Sequence, residues 1–199
     1  MSSNEPRIYI GYHGTNADHV ESIVKNGFYT SDNADEWLGH GIYFFTEGIS
    51  DPIENAKEWA INQAWDKENK RYRYKKYAVL KVEVSGEQVL DLRTENGLWV
   101  YNEMRDLLIR QYEATFDKDR NIYEDNCKMS NLIVDAMNLD ILINRLYIKN
   151  RIQRKLRLVS NVPNTTVMVV IKPESIYSIE VEKEGEIYDH PRTNVTRGN

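Results

Sequence analysis

Two short stretches decide how this chain is read: Tyr12-His13-Gly14-Thr15 and Gly39-His40-Gly41-Ile42-Tyr43-Phe44-Phe45. Ahead of the first, Arg7 to Tyr12 alternates Ile8 and Ile10 with polar residues, the period of a strand, and runs into a His13-Gly14 turn. Thr15 or Asn16 is placed to cap a helix over Ala17 to Asn26, with Val20, Ile23 and Val24 at helical spacing. Gly27 stands where a helix-ending glycine belongs. Thr30 to Leu38 is polar and reads as a loop, and Gly41 to Phe45 as a short buried strand. The order is therefore strand, turn, helix, loop, strand, with a histidine closing the first strand and a tyrosine inside the second.

The rest of the chain builds outward from this unit. Thr46 to Asp51 is a polar turn, and Pro52 opens a helix with Ile53, Ala56, Ala60, Ile61 and Ala64 on one face. Tyr77 to Val84 alternates as a strand, and Val89 to Leu92 is a short strand or bend. Leu98 to Tyr112 and Met129 to Met137 read as helices, while Ile141 to Ile148 fits strand or helix equally. Val167 to Ile171 is a buried strand stopped by Lys172-Pro173, and Ile176 to Val181 alternates again. The tail from His190 to Asn199 is polar and expected to fray. No repeat or Gly/Ser linker divides the chain. The expected fold class is α+β: one domain over 1–199, with a helical insertion between sheet strands at roughly Glu95 to Lys155.

Composition narrows the function. The 41% apolar share can build a core, and no run of eighteen apolar residues marks a membrane span. Met1 to Arg7 lacks the basic-then-apolar layout of a secretory signal, and Cys127 is the single cysteine, so a reducing cytoplasm is expected. The formal charge of −5 argues against general nucleic-acid affinity. The charge is uneven, however. Basic residues gather at Lys67 to Lys76 and Arg145 to Arg157, acidic ones at Asp32 to Glu36, Asp117 to Asp125 and Glu180 to Glu186. No metal-ligand spacing, phosphate loop or Gly-x-Ser-x-Gly elbow occurs, so no metal site is expected.

The paired motifs resemble those of the ADP-ribosyltransferase superfamily, in its diphtheria-toxin and poly(ADP-ribose) polymerase branch, whose signature is His, Tyr and then Glu. The likeness covers Tyr9 to Ala60 well, the last strands loosely and the middle hardly at all. It implies a split β-sheet core and NAD as co-substrate. It also implies that His13 holds a ribose hydroxyl, that Gly14 and Thr15 flank the carboxamide, and that Tyr43 offers a ring face to the nicotinamide. A second aromatic on the helix after the tyrosine strand matches Trp59, at a longer spacing. Such a site would hold the nicotinamide still and favour an oxocarbenium-like sugar.

The third element departs from the pattern. Where the glutamate belongs, near Val167, the neighbours are Asn164, Thr165 and Thr166. In the resembled family this loss goes with transfer of single ADP-ribose units or with loss of activity; Glu47 is one carboxylate that folding could bring in from elsewhere. The run Ser160 to Thr166 reads as a surface turn or as a contact to ribose or acceptor. Arg145, set among apolar residues, reads as half of an ion pair or as a ligand for the pyrophosphate. Arg71, Tyr72, Arg73, Tyr74, Lys75 and Lys76 interleave cations with rings, a pattern that grips single strands or merely protects an edge strand.

The expected activity is mono-ADP-ribosyl transfer from NAD to a macromolecular acceptor, RNA or DNA ahead of protein. A free-standing transferase of this size resembles bacterial toxins and phage-defence effectors, which implies a neutralising antitoxin protein. The rivals are an NAD glycohydrolase and a catalytically silent NAD- or ADP-ribose-binding module. An RNA 2'-phosphotransferase is disfavoured because its pocket arginines are missing.

Overall fold

The computed structural model describes residues 7–113 and 121–188. The strands are β1 (Arg7–Asn16), β2 (Ile42–Phe45), β3 (Trp65–Asp66), β4 (Arg71–Tyr72), β5 (Lys76–Gly86), β6 (Val89–Asp91), β7 (Ile141–Leu146), β8 (Thr165–Val170) and β9 (Ile176–Glu186). The helices are α1 (Val20–Asn26), α2 (Pro52–Ala64), α3 (Glu95–Tyr112), α4 (Ile122–Met137) and α5 (Arg151–Lys155). Seven strands form one mixed sheet in the order β6-β7-β8-β2-β1-β5-β9, and β3 and β4 make a separate hairpin. The fold is α+β. Among the described strands only β6 and β7 pair in parallel.

Period-two alternation gives this sheet two apolar faces. Tyr43, Phe45, Val79, Leu142, Val167 and Val169 point to one face, under the alanines 56, 60 and 64 of α2 and Met129 and Ile133 of α4. Ile42, Phe44, Val82, Val84, Ile141, Ile143, Met168 and Val170 point to the other. Burying a side chain such as Phe44 or Leu142 is worth about 1.5–3 kcal/mol, so the central strands carry most of the core. α2 begins where Asp51 caps it, its carboxylate accepting from the Ile53 and Glu54 N–H groups, with Pro52 in the first turn.

The sheet is unevenly joined. β1 is in register with β5 from Arg7↔Gly86 to Asn16↔Tyr77. Against β2 it registers only at Tyr12↔Phe45. A seam therefore runs between a β6-β7-β8-β2 half and a β1-β5-β9 half, and beyond Tyr12 the two strands splay.

Several expectations need correction. His13 and Gly14 are not in a turn; they continue β1, paired with Leu80 and Val79. Asn16 caps only a short 3-10 turn, Ala17–His19, before α1 begins. The middle of the chain is not purely a helical insertion, because Ile141–Leu146 is an inner strand between β6 and β8. α4 starts at Ile122, well before Met129, because Asn121 and Glu124 form a capping box that needs no apolar periodicity. The tail from His190 and residues 114–120 of the acidic stretch lie outside the described residues. Among the described residues no helix is long and apolar enough to cross a membrane.

Candidate active site at the seam of the sheet

His13 sits where β1 has left its register with β2. Its Nδ1 lies 3.0 Å from the Tyr43 carbonyl oxygen. A carbonyl only accepts, so Nδ1 carries the proton and Nε2 the lone pair. The imidazole thus bridges the two halves of the sheet where backbone pairing has ended. Its ring meets Phe28 edge-on at 5.1 Å and Phe44 at 5.9 Å. Burial pulls its pKa below the ordinary histidine value, with the carbonyl bond opposing this weakly. The ring is neutral at pH 7, with Nε2 able to accept from a hydroxyl.

Tyr43 leaves β2 on the other face of the sheet. Its hydroxyl accepts from the Leu38 N–H at 2.9 Å and donates to the Gly39 carbonyl at 2.7 Å. Burial raises its pKa, and the negative charge of Glu36 adds to this. Trp37 is the middle ring of the group: its centroid is 6.3 Å from Tyr43 and 5.5 Å from Trp59, edge-on to both. The guanidinium of Arg154 then lies over Trp59, 5.8 Å from the ring centroid.

The loop carrying Trp37 is tied down at several points. Ser31 and Gly41 exchange backbone bonds at 2.9 and 3.0 Å. Glu36 is bonded by the Ser31 hydroxyl and by Asn33 Nδ2. The His40 N–H donates to Asn131 Oδ1 at 2.7 Å, and Cys127 Sγ donates to the Asn33 carbonyl. Gly39 has φ +84°, and a Cβ there would fall 2.5 Å from Asn131 Oδ1. Only glycine fits so close to α4 in that conformation.

The structure redistributes the roles expected of the other residues. His13 and Tyr43 are joined through a backbone carbonyl, but their rings leave on opposite faces; the single nicotinamide pocket lined by both, which the resemblance implies, is not formed, and this counts against the assignment built on that pair. The reason is alternation: His13 packs with Phe44, and Phe44 and Tyr43 are consecutive on β2. Gly14 does not leave its Cα open to a carboxamide, because a Cβ there would lie 1.8 Å from the Ala56 carbonyl oxygen of α2. Thr15 pairs with Ala78 at the end of β1. Trp59 is with Tyr43, through Trp37.

Val167 is buried in register with Phe45, so the position of the missing glutamate is core. The polar run before it is structural. Asn55 donates to Thr165 Oγ1, the Ser50 hydroxyl donates to the Asn164 carbonyl, and Asn164 bonds both backbone groups of Ile148. Glu47 is exposed, and its carbonyl takes a bond from Arg93. Arg145 is exposed rather than half of a buried ion pair, on the Ile141 and Ile143 face away from Tyr43, with Asp91 as the acid that feels its charge.

The basic hairpin also differs from its reading. Arg71, Arg73, Lys75 and Lys76 are exposed, but the tyrosines between them turn inward. Tyr72 packs edge-on against Trp65 at 5.2 Å. The Tyr74 hydroxyl donates to the Ala60 carbonyl at 2.5 Å, and burial pushes its pKa up to about 12. Alternation buries one side of the strand, so a row of exposed cations remains without rings for stacking.

Trp37, Arg154 and Glu36 were not singled out from sequence. Trp37 is the one large aromatic in a polar loop that precedes the Gly-x-Gly strand, which was a usable signal. Arg154 carried none, since only folding brings α5 to α2. A cavity of about 360 Å³ opens between α3 and α4, but none of these aromatic residues borders it. Among the described residues no cluster of His, Cys, Asp and Glu is arranged to hold a metal ion. No protein-family model matches the chain, and no curated protein sequence matches it.

Proposed function

We propose that the chain is an NAD-dependent mono-ADP-ribosyltransferase whose nicotinamide slot lies at the Tyr43–Trp37–Trp59 group. The observation that carries this reading is that group itself. The tyrosine of the Gly-x-Gly-Ile-Tyr-Phe strand and the aromatic of the following helix stand on either side of one loop tryptophan, at the end of a splayed seam. Trp37 fills the slot edge-on, and a nicotinamide would take its place face-on, with stacking worth about 0.5–1.5 kcal/mol beyond area burial. Because His13 faces the other way, one dinucleotide meets both residues only by lying across the seam. Its ribose hydroxyl would then donate to Nε2 of His13, the nitrogen that the Tyr43 carbonyl leaves unprotonated.

In the reaction the C1'–N1 bond of the nicotinamide ribose breaks and nicotinamide leaves neutral with the bonding pair. The acceptor nucleophile forms the new bond to C1' and releases its proton to solvent. The protein's part is to hold the ring and the ribose while positive charge develops on the sugar. With Val167 in the place of a carboxylate, no group there activates a ribose hydroxyl as the next nucleophile, so single units are added. The exposed cations Arg71, Arg73, Lys75 and Lys76 attract a nucleic-acid acceptor by charge alone. A self-acting transferase of this kind would need a neutralising antitoxin.

Incubation with labelled NAD and total cell extract, followed by nuclease or protease digestion, tests the proposal. Label lost to nuclease supports a nucleic-acid acceptor, and label lost to protease moves the acceptor to a side chain. Release of free ADP-ribose alone makes the protein a glycohydrolase. NAD bound but left intact makes it a binding module, the alternative that the missing carboxylate allows.

A further inference from the structure

We infer that Arg154 is an anion site at the rim of the Tyr43–Trp37–Trp59 group, and that it takes the diphosphate of a dinucleotide; this rests on the proposed slot for its dinucleotide part only. Several cations of the molecule are neutralised: Arg93 by Asp91, Lys172 by Asp140, Lys57 and Lys183 by Glu54. Arg154 is not. Among the described residues no carboxylate pairs with it; its side chain is exposed, and its guanidinium lies on an indole.

Its guanidinium is held rather than loose. Nε donates to the Lys149 carbonyl at 2.9 Å, and the stem springs from α5, whose start is fixed by a capping box between Asn150 and Gln153. The ring of Trp59 supports the cation from below. One edge of the fork is thus spent on positioning, and no hydrogen bond within the described structure uses the two terminal nitrogens. A planar, always-charged fork with its outer edge unused matches two phosphate oxygens at once. The role expected of Arg145 thereby passes to Arg154, because Arg145 is on the wrong face of the sheet.

The test is calorimetric titration of the full chain, wild type and variants, with ADP, inorganic pyrophosphate, NAD, nicotinamide riboside and a short single-stranded RNA. Wild type is expected to bind ADP and NAD. Arg154→Gln should weaken both on the order of ten- to a hundredfold, as loss of hydrogen bonds to a charged group implies. It should leave nicotinamide riboside, which has no phosphate, unchanged. Arg154→Lys keeps the charge but not the fork and should fall between.

The inference is overturned if wild type takes neither ADP nor pyrophosphate, or if Arg154→Gln binds ADP as wild type does. It is overturned equally if RNA binding alone depends on Arg154. If riboside and ADP affinities fall together, the arginine merely props Trp59. Should ADP depend on Arg154 while wild type ignores nicotinamide riboside, the anion site stands and the nicotinamide slot fails. The reverse pattern, riboside bound and ADP indifferent to Arg154, sinks the anion site and keeps the slot.

Discussion

On one face of the sheet at the seam, His13 is wedged among Phe28 and Phe44 and keeps one nitrogen for an outside partner. On the other face, Tyr43 has both hydroxyl bonds taken by Leu38 and Gly39 and is surrounded by Trp37, Trp59 and, one ring further, Arg154. The first face is filled by apolar side chains, Phe44 from β2 and Phe28 from the connection after α1, whose packing offers no hydrogen bond to exchange. The second is filled by a loop. Loop contacts are those a ligand can replace, because a backbone N–H and carbonyl released from the Tyr43 hydroxyl can turn to water or substrate. The contrast favours the tyrosine face for the proposed binding surface and makes His13 a tie across the seam.

The largest effect expected from breaking this arrangement is at Gly14. A methyl group there would meet the Ala56 carbonyl oxygen at 1.8 Å, and that atom is helix backbone, not the end of a flexible side chain. Gly14→Ala must push α2 off β1 or bend the strand. Overpacking of this kind costs roughly 1–3 kcal/mol or more, which for a chain of this length lowers Tm by about 2–4 °C per kcal/mol. A thermal melt by circular dichroism measures it. A variant that melts with wild type would show that α2 does not sit this tightly on β1, and with it the placement of Trp59 would be lost.

Next in size is the loop's grip on Tyr43. Tyr43→Phe removes the hydroxyl and leaves the Leu38 N–H and the Gly39 carbonyl without it, a cost of roughly 1–3 kcal/mol. Hydrogen exchange at Leu38 and at Gly41 should speed up while the ladder between β1 and β5 stays protected. Tyr43→Phe is the informative change, since Tyr43→Ala would also empty packed space against α2. Trp37→Ala is its complement. If the indole occupies the nicotinamide slot, its removal tightens nicotinamide binding in a titration; weaker binding would instead make Trp37 a permanent wall.

What could be read from sequence divides along the same line. β5, β8 and α2 were legible because each carries its own signal: alternation in Val79 to Val84, an apolar run before Lys172-Pro173, and Asp51-Pro52 ahead of a ladder of alanines. Tyr43 and Trp59 were singled out together in the sequence, and each packs against Trp37, which was not. The facing of His13 was not, because Gly14 suggested a turn and so hid the fact that β1 continues to Asn16. Once a strand continues, parity decides the face, and parity counts from a register that sequence does not display. β7 stayed ambiguous since a strand buried on both faces loses its alternation. Arg154 and Asn131 act through contacts between distant segments, which local pattern cannot contain.

A smaller effect, and one that separates charge from stacking, is expected at the hairpin. Replacing Arg71, Arg73, Lys75 and Lys76 with Ser leaves Tyr72 on Trp65 and Tyr74 on Ala60 untouched. The apparent Michaelis constant for a nucleic-acid acceptor should rise, and its salt dependence should flatten by about 0.7 log unit per log of salt for each single-strand phosphate contact removed. Consumption of NAD by water should be unaltered. An unchanged salt slope would remove this hairpin from the acceptor surface.

The smallest effect is a slope, and it tests the His13 face alone. Burial lowers the folded-state pKa of His13 below the value of about 6.5 that the unfolded chain has. As pH falls through that value the unfolded state takes up the proton first, so stability is complete above about pH 6.5 and declines below it, with at most about 1.4 kcal/mol per pH unit from one proton. Asp91, whose pKa is lowered by its bonds to Arg93, and Asp140, lowered by the Gln88 N–H and then by Lys172 against the opposing effect of burial, lose their contributions only further into the acid range. His13→Asn keeps a donor near Nδ1 for the Tyr43 carbonyl and removes the titration. Denaturant melts between pH 5 and 8 should then show wild type losing stability below about pH 6.5 and the asparagine variant holding level until the carboxylates titrate. If both fall in parallel, His13 is not desolvated at the seam, and the bridge it makes to Tyr43 is not what closes the two halves of the sheet.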